Sequence, residues 1–320
     1  MITLRQMHYA RTLAETRNFR HASTRLNLSQ PALTRSIQAL EAVIGSPIFE
    51  RLPQGLEPTR IGTEFLRRAS VILHERRELM NEMRLWAGCE RGMITVSTGP
   101  VPGHALGPQA AAAIARLVPG MKCTLRMRDW RDVKEDVVSR AADLGIAELN
   151  DASSDPRVDI ELVGEDRLYF YCRPGHPLLA QTEVLITDLT AYPWAGPRTP
   201  GRIASAFNAS VSPAGSLEPV HGDFMLAWTV DTIQAAMQIV GSSDVISAAL
   251  LTQLEADLAR KTLMLVPCSI PWLKLNNGFM TRREQLESMT VELFKTEFRR
   301  LNNELSVAEA RLAARYAPSL

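Results

Sequence analysis

The first 91 residues contain no lysine, although they hold fourteen arginines and nine acidic residues. That segment therefore carries +5 and the remainder −4, within a 320-residue chain whose overall charge is only +1. An arginine surplus suits phosphate, because the planar guanidinium donates two parallel hydrogen bonds. Alone it does not establish a nucleic-acid partner. Cysteine is scarce: Cys89, Cys123, Cys172 and Cys268 lie far apart, with neither CxxC nor Cys/His spacing, and are expected to be buried free thiols. No stretch approaches the roughly 18 uninterrupted apolar residues of a membrane span. The N-terminus also lacks a basic leader, apolar stretch and small-residue cleavage site, so the expected location is cytoplasmic, with no membrane partner. GxxxxGKS/T, GxGxxG after a strand, HExxH and GxSxG are all missing. Catalysis is therefore not expected, and neither is a cofactor or a metal.

What is present is an ordinary globular composition, 46 % apolar and 22 % charged, in a chain long enough for two or three domains. Leu4, Met7, Ala10 and Ala14 recur at helical spacing, as do Phe19, Ala22 and Leu26, predicting two short helices that pack together. The break "NLSQP" supplies Ser29 as N-cap and Pro31 in the first turn, where a missing N–H costs nothing, and so starts a third helix. Gly45, followed by Pro47, stops it.

Leu33, Ile37, Leu40 and Ile44 form the apolar stripe of that third helix. Opposite it lie Pro31, Thr34, Arg35 and Gln38, with Gln30 at the leading end. A merely solvated helix would favour Glu/Lys pairs there. This face offers amide, hydroxyl and guanidinium groups, which can donate to base edges and phosphates in a major groove. The plainer alternative is a polar surface without a partner. "PIFERLPQGLEPTRIG" then reads as two extended pieces around a turn, the hairpin wing of a winged helix-turn-helix.

In this register, "A…L…SQPALTRSIQALE…G…IFER…TRIG", residues 4 to 66 resemble the LysR-type transcriptional regulators. The resemblance places Ser29, Gln30, Pro31, Thr34, Arg35 and Gln38 at DNA-contact positions, with Arg51 near the wing and Gln54 at its tip, where the family often carries a basic residue. It implies double-stranded DNA with interrupted palindromic sites as partner, and RNA polymerase as a candidate second one.

From Phe65 the period changes: Phe65, Ala69, Ile72, Arg76, Leu79, Met83 and Trp86 alternate steps of four and three, a heptad seam interrupted by Arg76. Such a helix either joins two chains or packs on its own domain. The resemblance favours a dimerisation helix, and dimers that pair into tetramers.

"GCERGM" punctuates the chain before a second pattern. "MITVST", "KCTLRMRD" and "DLGIAEL" read as strands separated by helical patterns at residues 104 to 118 and 132 to 142, which argues for a mostly parallel sheet covered by helices. A second α/β unit runs from about Asp166 to Val266, including a helix after Pro200, and "NNGFMTR" with a helix from Leu286 to Leu305 returns to the first.

The fold class expected is thus multidomain, all-α and α/β: a winged helix-turn-helix (1–61), a linker helix (62–90), a two-lobed α/β domain (91–305) and a helical tail (306–320). Lobe I comprises 91–164 and 268–305, and lobe II 165–267, with chain crossings near Gly164 and Pro267. The arrangement resembles type 2 periplasmic binding proteins and the effector domain of LysR-type regulators. By that likeness Thr98, Gly99, Pro100, Val101, Trp130, Arg131, Arg198, Thr199, Arg202, Asp231 and Thr232 line an effector cleft. Helix N-termini after Thr98, Trp130 and Thr199, together with Arg198 or Arg202, suggest a small organic acid as effector. The sequence leaves open a regulator that acts without a small ligand, or one that senses redox state through a cysteine.

Overall fold

The computed structural model describes residues 1–52, 55–86, 92–149, 152, 155–182, 184–199, 207, 211–218, 222–283 and 288–317. The chain divides into two compact units, residues 1–92 with 139–141, and the rest.

Three helices open the first unit: α1 (Leu4–Thr16), α2 (Phe19–Arg25) and α3 (Gln30–Ile44). Each has its own start signal. Thr3 and Gln6 close a capping box on α1, Asn18 accepts from Arg20 and His21 at α2, and Ser29 accepts from the Ala32 N–H at α3. Gly45 ends α3 at φ 80°, a left-handed cap that costs glycine nothing. Leu33, Ile37 and Leu40 lie in one core with Ala10, Leu13, Ala22, Ile48 and Phe49. Each of the three stripe residues contributes roughly 1.5–3 kcal/mol by burial.

The wing is an antiparallel pair, β1 (Phe49–Leu52) with β2 (Gly55–Pro58). It leads into α4 (Arg60–Trp86), 27 residues long. A Cβ at Gly62 would lie 1.8 Å from the Ile48 carbonyl oxygen, so the glycine of "TRIG" is what lets α4 leave against the base of the wing.

Lobe I of the second unit is a five-stranded sheet of β3 (Met93–Thr98), β4 (Lys122–Met127), β5 (Leu144–Glu148), β6 (Val158–Arg167) and a strand near the C-terminus, Lys274–Arg282, in the order β4-β3-β5-(274–282)-β6. The first three are parallel, and the returning strand runs antiparallel to both its neighbours. The sheet is therefore mixed. Strand β6 was not anticipated, because its exposed and half-buried residues give no apolar run. Helices α5 (Pro100–Ala105) and α6 (Gly107–Leu117) flank a core that holds Leu106, Ala110 and Ile114 with Phe279, while α7 (Trp130–Val138) packs with Met280 in another.

Lobe II is built around β7 (Tyr169–Cys172), flanked antiparallel by Ser247–Ala249 and Met264–Leu265. All four β7 residues are buried, and they alternate between two cores. Phe170 and Cys172 join Trp194, Phe207, Phe224 and Leu189 of the short helix α8 (Ile186–Thr190). Tyr169 and Tyr171 join the opposite layer, formed by α9 (Ile233–Gly241) and α10 (Leu251–Arg260). The chain crosses between lobes at residues 167–169 and again before Lys274, where the Leu168 N–H donates to the Leu273 carbonyl. The helix expected after Pro200 lies outside the described residues.

The last helix, α11 (Met289–Tyr316), does not stop at Leu305. No glycine or proline interrupts residues 289–316, so the expected tail continues the same rod. Its first half places Val291, Phe294, Phe298 and Leu301 in the lobe I core. Its second half places Leu312 in the lobe II core, and Glu309 accepts from the Leu251 and Thr252 N–H groups at the start of α10, at 3.1 and 2.7 Å.

Candidate functional site

On α3 the buried stripe turns Gln30, Pro31, Arg35 and Gln38 to solvent, with Thr34 half-buried and Ser29 exposed at the cap. The Thr34 hydroxyl donates to the Gln30 carbonyl at 3.0 Å, which leaves its methyl and an oxygen lone pair for a partner. Arg35 is exposed and has no carboxylate partner among the described residues. Arg51 lies on β1, but its side chain is outside the described residues, as is Gln54.

The heptad seam of α4 divides into two parts. Phe65 packs on the core of the helix-turn-helix and Ala69 is 1 % exposed, so the first turns face their own domain. Ile72, Leu79, Met80 and Met83 are exposed by 41 to 54 % in the single chain. The Trp86 side chain lies outside the described residues.

Between the lobes lies a cleft enclosing about 820 Å³, part of it open to solvent. Of the expected lining residues, Gly99, Pro100, Val101, Trp130, Arg198 and Thr199 reach it. Asp231 and Thr232 line an adjoining recess with Arg128, Asp129 and Asp132, and Thr232 caps α9 by accepting from the Ala235 N–H. Two expectations fail for local reasons. Thr98 is 1 % exposed, directs its hydroxyl to the Gly99 carbonyl and does not line the cleft. Arg131 turns instead to Asp223, with bidentate bonds of 2.7 and 2.8 Å, while its guanidinium lies 4.3 Å from the Trp130 ring centroid. Arg202 is outside the described residues.

The electrostatics also differ from expectation. Arg198 lies 3.4 Å from Asp129 and 3.6 Å from Asp223, so the cation expected to hold an anion already faces two carboxylates. Burial pushes the Asp129 carboxyl above its ordinary range, against the Arg131 N–H and the Arg198 charge. His104 contacts Gln234 and is held below the usual imidazole value by burial. The expected fan of helix N–H donors is thin at α5, because prolines 100 and 102 remove two of them.

Sequence reasoning missed the apolar floor and two polar walls. Phe170, Trp194 and Phe207 meet edge to face, with centroids 4.9 to 5.7 Å apart. Glu148 and Asn277, paired across neighbouring strands, line the cleft although both are about 5 % exposed. A signal existed for Asn277 alone, as a polar residue inside the strand "NNGFMTR". Among the described residues Cys172 and Cys268 are buried, their thiols pushed up by desolvation to about 12 and about 11. Neither is a ready thiolate. No helix among the described residues is long and apolar enough to cross a membrane.

Comparison with known proteins agrees with this architecture. Residues 4–63 match the family "Bacterial regulatory helix-turn-helix protein, lysR family", and residues 87–302 match the "LysR substrate binding domain". The SDS degradation transcriptional activation protein of Pseudomonas sp. (strain ATCC 19151) is 31 % identical over 285 residues, 88 % of each chain. The regulator GalR of Pseudomonas putida is 26 % identical, over 86 % of this chain and 68 % of its own. Among solved structures, CbnR, a LysR family transcriptional regulator, superposes with a TM-score of 0.61 at 20 % identity, covering 94 % of this chain and 99 % of its own. A full-length OxyR variant from Pseudomonas aeruginosa gives 0.64 at 18 %, covering 93 % and 95 %. At such identities these two speak for the fold alone. With both halves of the chain matched in order and a relative of this identity aligned over most of its length, the protein belongs to the LysR family of DNA-binding transcriptional regulators.

Proposed function

We propose that the chain is a dimeric reader of interrupted palindromic DNA whose regulatory output depends on a small molecule held between the two lobes. The observation that carries this reading is the presence, in one chain, of an exposed polar face on α3 and a largely apolar cleft in the second unit. Gln30, Pro31, Thr34, Arg35 and Gln38 form the base- and phosphate-reading surface, and Arg51 and Gln54 are the wing's candidates for a further contact. Exposed Ile72, Leu79 and Met83 support pairing of two chains through α4, which converts two weak half-site contacts into tight binding. The ligand must bind two conformations with different affinity to change the output. A ligand with a large apolar surface suits the cleft, whose lining is mostly ring and aliphatic carbon.

The test is a genome-wide map of binding sites, followed by a reporter driven by the bound promoter and exposed to compounds handled by neighbouring genes. The expected result is discrete palindromic sites and a reporter response that Val101→Trp, which fills the cleft, abolishes. Binding without sequence preference would refute the DNA reading. A full response in Val101→Trp would refute the cleft.

A further inference from the structure

The cleft combines an apolar interior with two buried polar atoms that have no partner. Trp130 is 6 % exposed and Asn277 5 %, and both line the cleft. Neither Trp130 Nε1, a donor, nor Asn277 Oδ1, an acceptor, is hydrogen-bonded among the described residues. The Asn277 amide is fixed at its other end, because Nδ2 donates to Asp166. Buried polar atoms are ordinarily satisfied, so a donor and an acceptor left without a partner on two residues that line one cavity suggest the complement of a ligand.

The charges of the wall narrow the class. Among the described residues Arg198 is the only cationic side chain that lines this cleft, and it already faces Asp129 and Asp223. Glu148 contributes a further carboxylate to the wall. An anion would enter without an uncommitted cation and close to a like charge, a cost that an uncharged ligand avoids. The edge-to-face rings of Phe170, Trp194 and Phe207 offer a flat apolar floor.

We infer that the cleft selects an uncharged ligand with an apolar, ring-sized body and a hydroxyl or comparable group that gives an acceptor to Trp130 Nε1 and a donor to Asn277 Oδ1. This rests on the cleft being the effector site and replaces the organic acid expected from the positions of Arg198 and Arg202.

The experiment is isothermal titration calorimetry of the full chain with benzyl alcohol, benzoate, benzylammonium and toluene, against wild type, Trp130→Phe and Val101→Trp. Benzyl alcohol is expected to bind at least about tenfold more tightly than either charged analogue. Trp130→Phe should weaken the alcohol by roughly three- to tenfold and leave toluene unchanged, because it removes the N–H and keeps an aromatic wall. Val101→Trp should abolish binding of both. If benzoate or benzylammonium binds more tightly than the alcohol and Val101→Trp still blocks it, the cleft stands and the inferred ligand class is wrong. If Trp130→Phe weakens toluene as much as the alcohol, the indole N–H has no role and the inference falls. Binding that survives Val101→Trp overturns the cleft itself, and failure of every probe to bind overturns the inference.

Discussion

Asp223 is 1 % exposed and holds Arg131 with both oxygens while also facing Arg198. Asp223→Asn keeps the shape and removes the charge. It should cost about 2–3 kcal/mol of stability in urea unfolding, less than a fully buried pair because Arg131 is partly hydrated. It should also leave Arg198 facing one carboxylate in place of two, and tighten benzoate binding relative to benzyl alcohol in calorimetry. At Glu309 burial raises the carboxyl above its ordinary value, against the hydrogen bonds from Thr252 and Leu251. A raised folded-state value favours the protonated form in the native state, so this contribution is complete below the ordinary carboxylate range and is lost as pH rises through the raised value. Glu309→Gln removes that titration, so the difference in melting temperature should move in the variant's favour as pH rises from below the ordinary carboxylate range to above it, in differential scanning calorimetry. The exposure of Gln30, Pro31, Arg35 and Gln38 on one face was legible because a helix face is set by spacing within one segment. The pairing of Arg131 with Asp223 was not, since the partners stand 92 residues apart. Nothing local distinguishes that aspartate from an exposed one.

At the scale of elements, α3 and its caps could be read residue by residue, from Ser29 through Pro31 to Gly45. If its outer face reads DNA, Arg35→Ala should weaken operator binding by about 1–3 kcal/mol in fluorescence anisotropy, with the melting temperature unchanged because Arg35 is exposed and makes no ion pair among the described residues. The seam of α4 was legible in period and only partly in partner. Periodicity finds an apolar stripe without saying what covers it, and the first part is covered by the chain's own helix-turn-helix through Phe65 and Ala69. The interchain prediction therefore belongs to the later turns. Ile72→Asp with Leu79→Asp should give monomers in sedimentation velocity while the circular dichroism stays helical, and an undiminished dimer would place the contact elsewhere. Strand β6 and the short strands Val211–Ser212, Gly215–Leu217 and Phe224–Leu226 were illegible for the opposite reason, being too short or too polar to carry a period of their own.

For the molecule as a whole, the two-lobed plan followed from the alternation of strands and helices, but the third connection between the lobes, through the last helix, did not. A body joined to another by two neighbouring strands keeps a rotation about the line through them. The rod Met289–Tyr316, about 42 Å long at 1.5 Å per residue, anchors at one end among Val291, Phe294 and Phe298 and at the other through Glu309 and Leu312. A third attachment is expected to restrict that rotation and to hold the gap between lobes near its final width before anything enters. The thermodynamic consequence is a small ordering penalty on occupancy, and a signal that must leave as a change of local packing in place of a large swing. Scattering curves of the second unit should then superpose with and without benzyl alcohol. Removal of residues 306–320 should broaden them, restore a ligand-dependent difference, and cost about 3–5 kcal/mol through the lost cap on α10 and the vacated Leu312 site.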